Sequence, residues 1–285
     1  MQKHITTFLA TSLLLAAFVS PSSAQSLEEN FPVSTKWTLD AAGPTQRTAI
    51  KSVLMLLCQK ADSKGTGFIL RGGTVVTAAH VVAGCMASDV IGTSAAGKEV
   101  RFTKVIPDPK RDLALLRPAT ALSDGLELAP NKDPDVGAGV ATWGFPFGYN
   151  GPAPLLSVGY VAGYINSGTP AATVKHLVVN GAFNPGNSGG PLFQSGGNTV
   201  IGIVVSKFAP MTPAIASALQ ALANNPSGFS YTATDEAGNK KNVSEAQVVA
   251  EILLFYRSLT QVMIGEAVSV SELRSFLSEK QTELK

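Results

Sequence analysis

Gly186-Asn187-Ser188-Gly189-Gly190-Pro191 is the stretch on which the reading of this chain turns. A serine hydroxyl is a weak nucleophile. It needs a base to take its proton and N–H donors for the oxyanion that forms. Glycines around a serine let the backbone fold tightly enough for its amides to point at one spot. Taken alone, the stretch reads equally well as a plain glycine-rich turn.

Gly-x-Ser-x-Gly also fits the nucleophile elbow of α/β-hydrolases, in which the catalytic histidine follows the serine. The chain has three histidines, His4, His80 and His176, and none follows Ser188. A histidine base must therefore precede the serine, and His4 falls in the leader described below. His80 sits in Thr77-Ala78-Ala79-His80-Val81-Val82, where small residues leave room at the end of an apolar strand. His176 lies within Val174–Val179 among alternating apolar residues, which predicts a packed sheet histidine. A third group, a carboxylate, is needed to fix the imidazole tautomer. Between His80 and Ser188 the acids are Asp89, Glu99, Asp108, Asp112, Asp124, Glu127, Asp133 and Asp135. Asp112 directly precedes Leu113-Ala114-Leu115-Leu116, and an acid on the lip of an apolar strand can be buried against a histidine. Asp108, in Pro107-Asp108-Pro109, reads as a solvated turn, and the remaining acids read as surface groups.

Around these residues the chain predicts an all-β body. From about Ile50 to Val205 short apolar runs alternate with turn residues: Ser52–Leu57, Gly67–Leu70, Thr74–Ala78, Leu113–Leu116, Val140–Trp143, Val158–Tyr164, His176–Val179 and Val200–Val205. That spacing is typical of sandwiches and barrels. Gly72-Gly73 suits a two-residue hairpin. Ser123–Gly137 is polar and turn-rich, a linker between two β halves. Helical patterns follow Ser206. Thr212-Pro213 opens one that Asn224-Asn225-Pro226 stops, and residues 228–243 read as a hairpin around Asp235–Asn239. Ser244/Gln247 and Ser269/Glu272 form capping boxes ahead of two further helices.

Three segments together resemble the signatures of trypsin-like, chymotrypsin-fold serine peptidases. They are Thr77-Ala78-Ala79-His80, Asp112-Leu113-Ala114-Leu115-Leu116 and Gly186-Asn187-Ser188-Gly189-Gly190-Pro191, in that family's His…Asp…Ser order. Gly65-Thr66-Gly67-Phe68, Gly144-Phe145-Pro146-Phe147-Gly148 and Asn184-Pro185 are similar to its bacterial branch, the high-temperature-requirement proteases. The resemblance covers roughly residues 50–206 and implies two Greek-key β-barrels packed perpendicular, with the site in the cleft between them. It implies His80 as base and then acid, Asp112 as its orienting carboxylate, Ser188 as nucleophile, and the N–H groups of Gly186 and Ser188 as the oxyanion hole. It implies a protein or peptide substrate and neither metal nor organic cofactor. The floor of the specificity pocket would lie at Gly181-Ala182-Phe183-Asn184. No acid stands there, so Ala182 and Phe183 predict a small or medium apolar preference rather than Lys or Arg. Asn187 cannot form the ion pair with a freed N-terminus that an aspartate forms in animal digestive relatives. The stretch after Ser188 reads as helical rather than as the PDZ domain that the bacterial branch often carries.

The resulting layout is a signal peptide at 1–24, a lead-in at 25–45, a first barrel at about 46–122 and a linker at 123–136. A second barrel follows at about 137–270, interrupted by a mainly helical insertion at 208–262, and a C-terminal helix closes the chain at 271–285. The leader rests on Lys3, the apolar run Phe8–Val19 and small Ser22 and Ala24 before the cleavage point. It predicts export to the periplasm or the medium of a bacterium, with no membrane anchor left after cleavage. The 285 residues are 45% hydrophobic and 15% charged, which excludes bulk disorder. The net charge of +2 becomes +1 when Lys3 leaves, and no basic cluster with aromatics suggests nucleic acid. Cys58 and Cys85 are too few for a four-thiolate metal site. In an exported chain an even pair predicts a disulfide, with a stabilisation of roughly 3 kcal/mol. The resemblance places these two cysteines either side of the histidine, although Cys58 lies further upstream than the family pattern. The competing functional class is a binding or scaffolding protein that keeps the fold while the insertion blocks its cleft. A third is an esterase on the same fold.

Overall fold

The computed structural model describes residues 30–284, apart from 124, 170–171, 208–212, 235–237, 239 and 260–263. The leader at 1–24 lies outside the described residues.

The lead-in at 25–45 was expected to be irregular but carries helix α1 (Val33–Ala41), and a second helix, α2 (Pro44–Ser52), runs from its end into the stretch assigned to the first barrel. Pro44 at the first position of α2 suits its fixed φ. Thr35 is buried and its hydroxyl donates to the Ala95 carbonyl, which docks α1 on the first barrel. Leu39, Ala49 and Ile50 join that barrel's core.

The first barrel contains β1 (Val53–Cys58), β2 (Ser63–Ile69), β3 (Val75–Thr77), β4 (Val90–Ser94), β5 (Glu99–Asp108) and β6 (Leu113–Pro118). They close in the order β1-β2-β3-β6-β5-β4, every pair antiparallel. Leu54, Leu56, Phe68, Val76, Leu113 and Leu115 are among the fully buried side chains of the core they enclose. The turn from β2 to β3 takes three residues, Arg71–Gly73, rather than the two expected. Leu70 N–H bonds to the Thr74 carbonyl, and Gly72 and Gly73 both have positive φ.

The presumed linker contains a short strand, β7 (Glu127–Leu128), which pairs in parallel with Thr199 and Val200 of the second barrel. The second barrel comprises β8 (Gly139–Gly144), β9 (Leu155–Thr169), β10 (Ala172–Gly181), β11 (Pro191–Gln194), β12 (Thr199–Lys207) and, beyond an insertion, β15 (Gly265–Ser269). The order β11-β8-β9-β10-β15-β12 closes through a β11–β12 pairing, giving a second six-stranded antiparallel ring. Val140, Leu177, Val179, Phe183, Leu192 and Ala267 fill it.

Between β12 and β15 come α3 (Pro213–Ala223), the hairpin β13 (Ser230–Thr234) and β14 (Lys240–Ser244), and α4 (Glu245–Leu259). The Ser244/Gln247 capping box forms, with each partner's side chain accepting from the other's N–H at 3.3 and 2.9 Å. Gln247 also donates to the Ala223 carbonyl, so the insertion's helices hold one another. Helix α5 (Val270–Glu279) then packs Val270, Leu273 and Phe276 inward, and α6 (Gln281–Leu284) ends the described chain. Ser269 caps α5 through Ser271 N–H, but Glu272 does not complete a box. Its carboxylate goes to Arg111 and to the Lys175 N–H instead, since a guanidinium outbids a helix-end amide. Among the described residues no helix is long and apolar enough to cross a membrane.

Candidate active site

Three segments meet at one edge of the first barrel. Strand β3 ends at Thr77, and a 3-10 turn over Ala79–Val82 carries His80. Asp112 stands one residue before β6, at φ +52°. Its Oδ2 lies 2.7 Å from His80 Nδ1, and its Oδ1 accepts the His80 backbone N–H at 2.9 Å. Its carbonyl accepts the Ala79 N–H at 3.1 Å. The carboxylate thus fixes both the ring and the backbone of His80, and the Nδ1 contact leaves Nε2 as the free nitrogen. The pair is open, with His80 48% and Asp112 34% exposed in their side chains. A cavity of about 880 Å³ opens beside it, with Val82, Ala83, Met86, Val105 and Pro107 among its walls. Every lining residue comes from the first barrel, so this is not the cleft between the barrels.

The loop from Pro185 to Pro191 comes from the second barrel and lies against Thr66, Thr77 and Ala78. Thr66 N–H donates to the Ser188 carbonyl at 2.8 Å, and Thr66 Oγ1 donates to the Gly186 carbonyl at 2.6 Å. Gly189 has φ +84°. A Cβ there would run into the Thr66 carbonyl and Thr77 Oγ1 and stand 2.8 Å from the Ala78 nitrogen, so only glycine fits. The serine loop therefore packs on Ala78, two residues before His80 in the chain. The Ser188 hydroxyl donates to the Val205 carbonyl on β12 at 3.2 Å.

The loop's amides divide into two groups. Asn187, Gly189 and Gly190 donate to Asn184, Val204 and Asn187 carbonyls. Among the described residues the N–H groups of Gly186 and Ser188 meet no acceptor. The Pro185 carbonyl is tied to the Phe147 N–H at 2.6 Å, and across a trans peptide the Gly186 N–H points the opposite way. Gly186 itself has φ +93° and presses on Phe145 and Phe147, again leaving no room for a side chain. Asn187 is 1% exposed beside Gly144, and among the described residues its side-chain carboxamide has no hydrogen-bond partner. A neutral amide is tolerated there far better than an unpaired carboxylate.

The other sequence-derived positions fall as follows. His176 is buried on β10 and pairs with Glu266 on β15 at 3.0 Å. Asp108 is not a solvated turn acid, because its side chain is 13% exposed and grips Arg111 at 2.5 Å. Ala182 is half-buried, while the Phe183 ring is buried in the second barrel's core against Gly265. Cys58 and Cys85 are joined as a disulfide with a sequence separation of 27, tying the end of β1 to the turn beyond His80. Thr66, which the sequence reading placed only within a family motif, bonds to the serine loop at two points and to the Phe145 N–H. Its location in a glycine-flanked strand was the available signal.

A two-barrel body with a histidine–carboxylate pair facing a glycine-rich serine loop defines the chymotrypsin-like class of fold. Solved structures agree. The active form of the Rv3671c protease from M. tuberculosis overlays with a TM-score of 0.55 at 20% identity, covering 95% of this chain and 93% of that one. The HtrA-type protease AlgW, solved with a tripeptide, gives 0.51 at 21% identity, covering 82% and 60%. Residues 65–203 match the trypsin-like peptidase domain family. In sequence the chain is 37% identical over 143 residues to a probable periplasmic serine endoprotease DegP-like protein of Halomonas elongata, covering 50% of this chain and 29% of that one. It is 35% identical over 152 residues to the uncharacterized protein y4bJ of Sinorhizobium fredii, covering 52% and 22%. The chain thus spans less than a third of the length of these relatives.

Proposed function

We propose that the protein is an exported serine endopeptidase that hydrolyses peptide bonds through an acyl-enzyme, with His80, Asp112 and Ser188 as its triad. The observation that carries this reading is the joint geometry of two loops. In one, Asp112 binds His80 at two points and Ala79 at a third; the other presents a serine whose own N–H and that of Gly186 meet no acceptor among the described residues.

Each group has a role that follows from its surroundings. Ser188 Oγ attacks the scissile carbonyl after leaving the Val205 carbonyl, and His80 Nε2 takes its proton. Such bonds are often loose before substrate binds and tighten in the complex. Asp112 holds the Nδ1–H tautomer and stabilises the imidazolium that forms. The N–H groups of Gly186 and Ser188 receive the oxyanion, and losing one such donor costs about 100- to 1000-fold in rate. His80 then protonates the leaving amine, and water resolves the acyl-enzyme by the same path reversed. Substrate approaches along β12, whose pairing with β11 stops at Ile203 while the strand runs on past Ser188's acceptor at Val205. An extended peptide adds there as a further strand. The stretch Gly181–Asn184 carries no acid, and half-buried Ala182 favours a small or medium apolar residue before the scissile bond, whereas the Phe183 ring is taken up by the core. The DegP-like relative named as periplasmic, together with the leader, supports export and a protein or peptide substrate.

The test is incubation of the purified chain with an unfolded protein and, separately, with a small activated ester. Discrete peptides that disappear in Ser188→Ala establish the endopeptidase. Ester turnover without any peptide product assigns an esterase, and neither activity in a folded chain assigns the binding protein. That last reading draws on the Ser188 hydroxyl resting on Val205.

A further inference from the structure

Asp112 occupies a backbone conformation that other contacts must sustain. Its φ of +52° lies in the left-handed region, which is costly for any residue with a Cβ. From there it makes all three bonds to the His80 segment. The residue before it is the most heavily clamped cation among the described residues. Arg111 has a side chain only 12% exposed, and its Nη1 meets Asp108 at 2.5 Å. Its Nε meets Glu272 at 3.2 Å, and Nη1 and Nη2 take both oxygens of Glu279 at 3.0 and 2.6 Å. Asp108 Oδ1 also accepts the N–H groups of Lys110 and Arg111, which closes the turn on itself. The second oxygen of Glu272 accepts the Lys175 N–H on β10. The guanidinium therefore joins the 108–112 turn of the first barrel to α5, and Glu272 joins α5 to a strand of the second barrel. Donation to Glu279 heads the causes that hold Arg111 above its ordinary value.

We propose that Arg111 is a positioning residue, whose fork to Glu279, Glu272 and Asp108 holds the turn in which the Asp112 carboxylate reaches both the ring and the backbone of His80. The geometry of a planar fork matters here as much as its charge, since lysine cannot reproduce the bidentate grip. Without the guanidinium, the carboxylates of Asp108, Glu272 and Glu279 converge with no cation between them, and repulsion opens the turn. The kinetic part of this inference rests on the peptidase reading; the structural part does not.

The experiment uses the full chain with Arg111→Gln and Arg111→Lys, and Arg71→Gln as a control that breaks an exposed pair with Glu127. Proton NMR follows the His80 Nδ1–H resonance and its exchange with water, and a fluorophosphonate reports the labelling rate of Ser188. In Arg111→Gln the resonance should weaken and exchange faster, and labelling should fall roughly 10- to 100-fold, the cost of misplacing a catalytic group by about 1 Å. Arg111→Lys should fall between wild type and Arg111→Gln, and Arg71→Gln should match wild type. A folded Arg111→Gln with unchanged resonance and labelling overturns the proposal, as does an equal loss in Arg71→Gln. Should Arg111→Gln fail to fold, Glu279→Gln takes its place, since it leaves the Asp108 and Glu272 contacts. It must still speed exchange of the Nδ1 proton, and unchanged exchange overturns the proposal. Wild type that shows the resonance, loses it in Arg111→Gln and never labels upholds the positioning role and sinks the peptidase reading. Wild type without the resonance contradicts the positioning role.

Discussion

Among the described residues two histidine–carboxylate pairs make nearly the same contact in opposite surroundings. His80 and Asp112 meet at 2.7 Å with side chains 48% and 34% exposed, at a barrel edge and against a glycine loop. His176 and Glu266 meet at 3.0 Å with side chains 9% and 15% exposed, between neighbouring strands of the second barrel. The first pair has a backbone arranged around it: a left-handed aspartate, a bond to the histidine N–H and a free Nε2. The second has neighbours on both sides of its sheet and no serine loop. Access and backbone, rather than the pairing itself, separate a candidate catalytic pair from one that only holds strands together.

The comparison is broken most severely at Asp112. Asp112→Asn keeps the shape and the tolerance for a left-handed backbone but offers the imidazole the wrong partner. Peptidase activity should drop on the order of 10⁴-fold while the melting temperature barely moves. His176→Ala should do the reverse. It leaves Glu266 buried without its partner, which costs about 3 kcal/mol on unfolding by denaturant, while the labelling rate of Ser188 stays at the wild-type value. A loss of labelling in a folded His176→Ala chain would mean that the wrong histidine has been assigned as base.

The smallest effect is expected with acid. Glu279 is held below the ordinary carboxylate value of 4.5, first by hydrogen bonding from Arg111, and Glu283 below it, first by hydrogen bonding from Lys280. A carboxylate whose folded value is depressed adds stability above its unfolded value and loses it as pH falls through the folded one. The C-terminal helices should therefore loosen as pH drops below 4.5, before the barrels do. Both carboxylates are exposed, so salt should shrink the difference. Amide exchange over residues 270–284, followed against pH at low and high salt, reads it directly.

Much of this was legible in the residues. Apolar runs such as Leu113–Leu116 and Val200–Val205 announced strands, the first of which proves buried on both faces, and the lack of a histidine after Ser188 excluded the α/β-hydrolase alternative. The capping box at Ser244 and the proline start of α3 marked the insertion's helices. What escaped had a physical cause. Strand β5 alternates buried Val100 and Phe102 with exposed Glu99 and Arg101, and it carries Pro107, so its charges masked a half-buried strand. Strand β7 is two residues long and exists only because β12 offers a parallel partner. Helices α1 and α2 sit in a segment whose composition gave no periodic face, and they are docked by tertiary contacts such as Thr35 to Ala95. Asp108 read as solvated because its partners, Arg111 and through it Glu272 and Glu279, lie up to 171 positions away in the chain.

The most direct test of the central claim is the intact mass of the protein after treatment with a fluorophosphonate, with Ser188→Ala alongside. Such reagents capture a serine whose base and oxyanion donors are both assembled. The account predicts one adduct per chain, located on Ser188 and missing from the variant. A folded wild-type chain that gains no adduct, or gains one that persists in Ser188→Ala, contradicts it.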